Sequence, residues 1–243
     1  MSRKDRSVAF VKVALLLLAA GRGTRFGGPI AKVYQPLAGK SVLLRSAERL
    51  RHMLPDVSLC PLIVIIAADD RRGPLAPLAA ALTALGARIV DGGTTRQQSM
   101  MLGLAAAGPC DLVLIHDAAR PMFPVAATRE CIARAAVTGA ALLAMPATDT
   151  LKRLSAARQV AATVDRSNLW CAQTPQVIRR DLLEQALRHA SANGLEATDD
   201  VGLIEAIGGA VDVVQGAMRN FKITHQEDLA IAEALWPLDP ERP

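Results

Sequence analysis

The sequence predicts a doubly wound α/β fold on a mostly parallel sheet, and three observations carry that reading. Short apolar runs alternate with stretches of helical periodicity along nearly the whole chain. The first run, residues 13–19, is apolar throughout, as a parallel strand covered on both faces must be. The polar, chemistry-bearing stretches follow strands, where ligands settle in such sheets.

Taken in order, residues 13–19 form the first strand and lead into Ala20-Gly21-Arg22-Gly23, a turn of small residues. The periodic segment 41–52 is the first helix. The run 62–67 (Leu-Ile-Val-Ile-Ile-Ala) is the next strand, followed by a helix over 75–85 and a strand over 88–91. Gly92-Gly93 then makes a tight turn before a helix over 96–107, with a threonine as its capping residue. A strand over 111–115, a helix over 125–138 and a strand over 140–145 continue the alternation. Residues 150–154 and 160–164 break it: two short strands joined by a turn read as a β-arm projecting at about 147–170. An isolated two-stranded arm is marginal in water, so it should pack on something, most simply a second subunit. Helices over 181–192, 199–207 and 226–235 and strands over 211–214 and 221–224 complete the reading. Residues 11–237 form one domain, with a flexible basic tail at 1–10 and a loose tail at 238–243.

A chain of 243 residues with 51% hydrophobic side chains can fill a large core, and with 3% aromatics that core is Ala, Leu, Val and Ile. The net charge of +5 favours anionic ligands. Scattered Lys and Arg and scarce aromatics argue against nucleic-acid binding. Cys60, Cys110, Cys131 and Cys171 show no paired spacing and read as buried, reduced thiols of a cytoplasmic protein. His52, His116, His189 and His225 lack metal-ligand spacing. Arg3, Lys4 and Arg6 before an apolar run imitate a signal peptide, but Lys12 interrupts the run and the alanines pass straight into the glycine turn. No run of 18 uncharged apolar residues exists, so no membrane span is expected.

The glycine turn, with Arg25 and Lys32 close behind, suggests a nucleoside triphosphate site: small residues let backbone N–H groups approach an anion and the cations sit beside it. A dinucleotide fold would need a third glycine where Phe26 stands and an acid near 40–45, where there is none. A P-loop would need a glycine at 34 before Gly39-Lys40-Ser41. Three further stretches can carry chemistry. Gly92, Gly93, Thr94 and Ser99 can read a base edge, and Arg96 could face a phosphate. Asp117, at a strand's carboxyl end, suits Mg²⁺, and Arg120 could grip an anion. Thr150 and Arg166, on the arm, and Lys222, in the segment 221–224, suit a phosphate-bearing substrate.

Together these stretches resemble one family, the 2-C-methyl-D-erythritol 4-phosphate cytidylyltransferases. The matching segments are Ala19-Ala20-Gly21-x-Gly23-x-Arg25, Lys32, Asp91-Gly92-Gly93-x-x-Arg96-x-x-Ser99, His116-Asp117-Ala118-Ala119-Arg120-Pro121, Asp149-Thr150-x-Lys152-Arg153, Thr163-Val164-Asp165-Arg166, Thr174-Pro175-Gln176, Thr198-Asp199-Asp200 and Asn220-x-Lys222-Ile223-Thr224. They run in family order over nearly the whole chain. The resemblance implies a Rossmann-like nucleotidyltransferase that joins CMP from CTP to methylerythritol 4-phosphate, with release of pyrophosphate, in the non-mevalonate route to isoprenoids. It further implies Mg²⁺ and a homodimer joined through the arm.

Residue by residue, the resemblance implies that Arg25, Lys32 and Lys222 offset charge at the reacting phosphates, with Arg166 catalytic beside them. It implies a CTP pocket from Ala19, Ala20, Gly21, Gly23, Gly93, Thr94, Ser99 and Ala118. Asp117, Arg120, Thr150, Arg166 and Lys222 would hold the polyol phosphate, Thr150 and Arg166 reaching across the dimer, and Asp117 would serve the metal. Departures are Ala31 and Val33 flanking Lys32, where the family has Pro and Gln, and Thr94, where an acid is frequent. A cytidylyltransferase for ribitol 5-phosphate and, of another class, a non-catalytic nucleotide-binding protein are the alternatives.

Overall fold

The computed structural model describes residues 11–21, 23, 25–28, 30–56 and 59–243; the expected basic tail lies outside them. In chain order the strands are β1 (Val13–Ala19), β2 (Pro36–Leu37), β3 (Lys40–Ser41), β4 (Leu62–Ile66), β5 (Ala87–Asp91), β6 (Leu112–Asp117), β7 (Ala140–Pro146), β8 (Lys152–Leu154), β9 (Val160–Thr163), β10 (Trp170–Arg179) and β11 (Asp212–Gln215). The helices are α1 (Val42–Met53), α2 (Ala79–Ala84), α3 (Arg96–Ala107), α4 (Val125–Thr138), α5 (Arg180–Asn193), α6 (Val201–Ala206) and α7 (Gln226–Leu235).

The main sheet runs β11-β7-β10-β6-β1-β4-β5. β1 is parallel to both β4 and β6, β4 to β5, and β7 to β11, while β10 is antiparallel to both its neighbours. The expected doubly wound, mostly parallel sheet is therefore present. Alternate residues of β1 serve its two faces. Leu15 and Leu17 pack with Leu43, Leu50 and Cys131 from α1 and α4, whereas Ala14 and Leu16 pack with Met100, Leu104 and Leu183 from α3 and α5. Chain order reverses at β1, whose neighbours β4 and β6 lead to opposite halves of the sheet. That switch point opens a crevice at the carboxyl ends.

The structure corrects the sequence reading at several points. β10 breaks the expected alternation: Pro175 and the polar Gln173, Thr174 and Gln176 hide a strand whose middle is buried. A register shift between Ala172 and Gln176 accommodates the proline, which cannot donate to the ladder. Residues 221–224 are not a strand; the Ile223 N–H bonds to the Ala119 carbonyl (2.9 Å), in the loop after β6, outside any sheet ladder. The tail at 238–243 is not loose: the Asp239 carboxylate meets the fully buried Arg49 guanidinium at 2.5 Å, and Glu241 accepts from the N–H groups of Val125 and Ala126 at the start of α4. That helix begins after Pro124, which offers no side-chain cap.

β8 and β9 pair antiparallel as a separate two-stranded sheet, both exposed along their length. Among the described residues no helix is long and apolar enough to cross a membrane. Cys60 and Cys131 are buried, the Cys131 thiol pushed up to about 12 chiefly by burial, but Cys110 is half-buried and Cys171 exposed.

Candidate active site

Four carboxyl-end loops of adjacent parallel strands meet in a cleft of about 750 Å³, a size suited to a nucleotide-scale ligand. The loop after β1 gives Ala19, Ala20, Gly21, Gly23 and Arg25. The loop after β4 gives Ala67, Ala68 and Asp69, the loop after β5 gives Gly92, Gly93, Thr94 and Thr95, and the end of β6 gives Asp117 and Ala119. Leu18, Lys32, Val33, Arg96, Ser99 and Lys222 complete the lining.

The glycine turn is held by Phe26. Its N–H bonds to the Gly23 carbonyl (2.8 Å), and Gly23 sits at φ +60°, where a side chain would strain the backbone. The Phe26 ring enters a small third core with Leu37, Met122, Ile223 and Trp236. The residue read from sequence as a missing glycine is thus the anchor that fixes the neighbouring Arg25. Lys32 opens a single 3₁₀ turn, and its alkyl stem lies against Gly23.

The opposite wall is the start of α3. The Thr95 hydroxyl accepts from Gln98 N–H (3.1 Å), capping a helix whose free N–H groups and dipole favour an anion. A side chain at Gly92 would collide with Ala20 and with Ser99, so a glycine there lets the two loops close on one another. Ser99 Oγ accepts from Gly93 N–H (3.1 Å) and fixes that turn.

Asp117 lies at the centre. Lys222 Nζ is 2.9 Å from its carboxylate, Arg96 3.5 Å and Arg120 3.6 Å. Burial alone would raise its pKa, but Lys222, Arg96 and Arg120 hold it well below the usual carboxylate range. Arg96 in turn grips Asp200 through two bonds of 2.6 and 2.7 Å. Lys222 is placed by its neighbours: Asn220 donates to Gln173 Oε1 and to the Thr174 carbonyl, and Ile223 bonds to Ala119. Burial, then the charge of Lys222, with Arg25 and Arg120 adding and Asp117 partly offsetting, lowers the Lys32 pKa to about 8.

The last value sets a pH dependence. In the free protein Lys32 loses its proton as pH rises through about 8, and with it the charge that attracts a triphosphate. kcat/KM for the nucleotide, which reports the free enzyme, should therefore fall above pH 8. Bound phosphate favours the charged lysine, so kcat should hold to higher pH. A kcat/KM profile flat well beyond pH 8 would detach Lys32 from nucleotide capture.

The structure thus brings together Ala19, Ala20, Gly21, Gly23, Arg25, Lys32, Gly93, Thr94, Ser99, Asp117 and Lys222. It does not bring in four others. Ala118 is fully buried behind the cleft, its carbonyl accepting from Ser46 Oγ (2.7 Å). Arg120 stays beside Asp117 but does not line the cleft; it donates to the Asn220 carbonyl (2.7 Å) and so braces the segment that carries Lys222. Thr150 and Arg166 are exposed on the arm, bonded to each other at 3.3 Å, and line no part of their own chain's cleft. Sequence reasoning passed over Ala67, Ala68 and Asp69. They carry no motif, and only their place at the carboxyl end of a central strand pointed to them.

A doubly wound sheet whose switch-point cleft gathers a glycine turn, a helix N-terminus and converging cations is the architecture of a nucleotide-binding α/β protein. Comparison narrows the class. The family model for 2-C-methyl-D-erythritol 4-phosphate cytidylyltransferase (IspD) matches residues 13–237, and the chain belongs to that family. It is 40% identical over 228 residues to the 2-C-methyl-D-erythritol 4-phosphate cytidylyltransferase of Symbiobacterium thermophilum, covering 93% of each chain. It is 44% identical to the bifunctional enzyme IspD/IspF of Rhodospirillum rubrum, where the match takes in 93% of this chain and 57% of that one. The crystal structure of 4-diphosphocytidyl-2C-methyl-D-erythritol synthase from Anaerococcus prevotii superposes with a TM-score of 0.79 at 27% identity, covering 94% of this chain and all of the other.

Proposed function

We propose that this chain transfers the cytidylyl group of CTP to 2-C-methyl-D-erythritol 4-phosphate, releasing pyrophosphate. The observation that carries the reading is the convergence of Arg25, Lys32 and Lys222 on one cleft walled by the glycine turn and the start of α3. A phosphate oxygen of the polyol forms a bond to the α-phosphorus of CTP, and the bond from that phosphorus to pyrophosphate breaks. The attacking oxygen is already anionic, so no general base is required. The protein's work is to place the two anions in line and offset the negative charge that crowds at phosphorus.

The donor set fits Mg²⁺ in one way. Asp117 is a single carboxylate ringed by cations, and among the described residues no cluster of three acidic, His or Cys side chains stands ready for a metal. Such a site repels a free dication but accepts one carried by triphosphate oxygens, Asp117 supplying the protein ligand. When bound, the metal would neutralise phosphate charge. Mn²⁺ should therefore bind measurably only with CTP present.

The decisive experiment measures pyrophosphate release with Mg²⁺, each of the four nucleoside triphosphates, and methylerythritol or ribitol phosphate. CTP with methylerythritol phosphate should be the productive pair. Equal kcat/KM with UTP or ATP would overturn the assignment of Gly93, Thr94 and Ser99 to the base, and preference for ribitol phosphate would overturn the polyol.

A homodimer through the arm belongs to the same reading. Leu154, Val160 and Trp170 on and beside the arm are exposed apolar surface, and Thr150 and Arg166 face no site of their own. In such a dimer Lys32 and Arg166 serve opposite subunits. Mixing inactive Lys32→Ala and Arg166→Ala proteins should then restore activity. Random pairing makes about half heterodimers with one intact site each, so at most about a quarter of wild-type activity returns. No recovery after verified subunit exchange would overturn the shared site.

A further inference from the structure

Asp117 ends β6 opposite β10, where the antiparallel ladder fails. Gln176 is still paired with Ile115, so the register would set Thr174 opposite Asp117, but the pairing of β10 with β6 stops at Gln176. The Asp117 N–H donates instead to the Thr174 hydroxyl oxygen (3.0 Å, buried). That hydroxyl is 2.9 Å from His116 Nδ1, and His116 Nε2 is 3.0 Å from the Arg120 carbonyl. The Thr174 carbonyl accepts from Asn220, whose own carbonyl accepts from Arg120.

The two ends of this chain fix its direction. A backbone N–H only donates and a carbonyl only accepts. The neutral arrangement that satisfies every group runs one way. Asp117 N–H donates to Thr174, the Thr174 O–H donates to His116 Nδ1, and His116 Nε2–H donates to the Arg120 carbonyl. The ring is wholly buried, edge-on to Phe123 at 4.6 Å between centroids, so no water can replace either partner. The chain spans the turn 117–120, closed by Arg120 N–H on the Asp117 carbonyl (3.0 Å).

We propose that Thr174 and His116 are positioning residues for this reaction: the Thr174 hydroxyl replaces the missing ladder bond, and the imidazole, as its Nε2–H tautomer, locks the turn that aims Asp117 and supports Lys222. Neither side chain lines the cleft. They act on the polyol phosphate through Asp117 and, by way of Asn220, through Lys222. The inference rests on the reading of those two groups as substrate-facing.

Thr174→Val keeps the shape and removes both hydrogen bonds, whereas Thr174→Ser keeps the hydroxyl. The valine variant should lose kcat/KM for methylerythritol phosphate by about a hundredfold, the scale of a small misplacement of reacting groups. The rise should fall on the KM for the polyol phosphate and leave the KM for CTP in place, a split that loss of folded protein cannot produce. The serine variant should recover most of the loss. In the unsubstituted protein, ¹⁵N spectra of His116 should show a protonated Nε2 and a hydrogen-bonded, unprotonated Nδ1. A valine variant with wild-type constants, a serine variant as impaired as valine, or a His116 protonated on Nδ1 alone overturns the proposal. Absence of cytidylyl transfer by the unsubstituted protein would sink the function reading instead, and the tautomer would still decide the hydrogen-bond chain.

Discussion

Replacement of Lys32 by Ala lowers kcat by about 10²–10³, the cost of removing one preorganised charge contact to a transition state and equivalent to about 2.7–4 kcal/mol. The lysine is confined between the glycine turn and the other cations, and burial and the charge of Lys222 lower its pKa, so its charge is held there at a cost. That strain is relieved where negative charge accumulates, so the benefit goes to the transition state. Removing the ammonium should leave the fold intact, because burial and like charges oppose it in the free protein. The thermal midpoint of Lys32→Ala should thus match or exceed that of the unsubstituted chain while turnover collapses. Unchanged turnover at an unchanged midpoint would remove Lys32 from the mechanism.

Asp239→Ala should destabilise the protein by about 3–5 kcal/mol, the range for stripping the partner from a buried charge. Arg49 and Asp239 are both fully enclosed at the side chain, and Arg49 also donates to the Pro121 carbonyl (3.0 Å) just past the active-site turn. For a chain of this size each kcal/mol moves the melting midpoint by about 2–4 °C, so a drop on the order of 10 °C is expected. The pH sign follows from the same pair. Burial would raise the Asp239 pKa, but the Arg49 hydrogen bond and charge hold it below its ordinary 3.8. Its contribution is therefore present at neutral pH and is lost as pH falls through the depressed value. A midpoint within a degree of the unsubstituted protein would show the tail to be dispensable.

Much of this architecture was legible, and the exceptions share a cause. β1, α3, α4 and α7 fall where the pattern placed them because burial on two faces or on one stripe writes a local period into the chain. The glycine turn, Asp117 and Lys222 were legible because chemistry at strand ends needs unusual residues. What escaped depends on distant partners. β10 is a strand only because β6 and β7 flank it. Residues 221–224 have a strand's alternation but are held by a single loop bond, Ile223 N–H to the Ala119 carbonyl, instead of a ladder. The tail is ordered by Arg49, which nothing near Asp239 in the sequence announces. Arg120 stands three residues after Asp117 like a substrate clamp, yet the Asn220 carbonyl claims it.

The third core has a consequence for how substitutions combine. Phe26 and Ile223 touch the same small cluster, and each is the sequence neighbour of a cation, Arg25 and Lys222. The two charges are therefore mechanically joined though they lie near opposite ends of the chain. Changes at Phe26, Arg25, Ile223 and Lys222 will not act as independent energies, since each shifts the platform on which the others stand. A double-mutant cycle between Phe26→Ala and Ile223→Ala should therefore show a coupling energy, whereas strictly additive effects would separate the loop after β1 from the segment before α7.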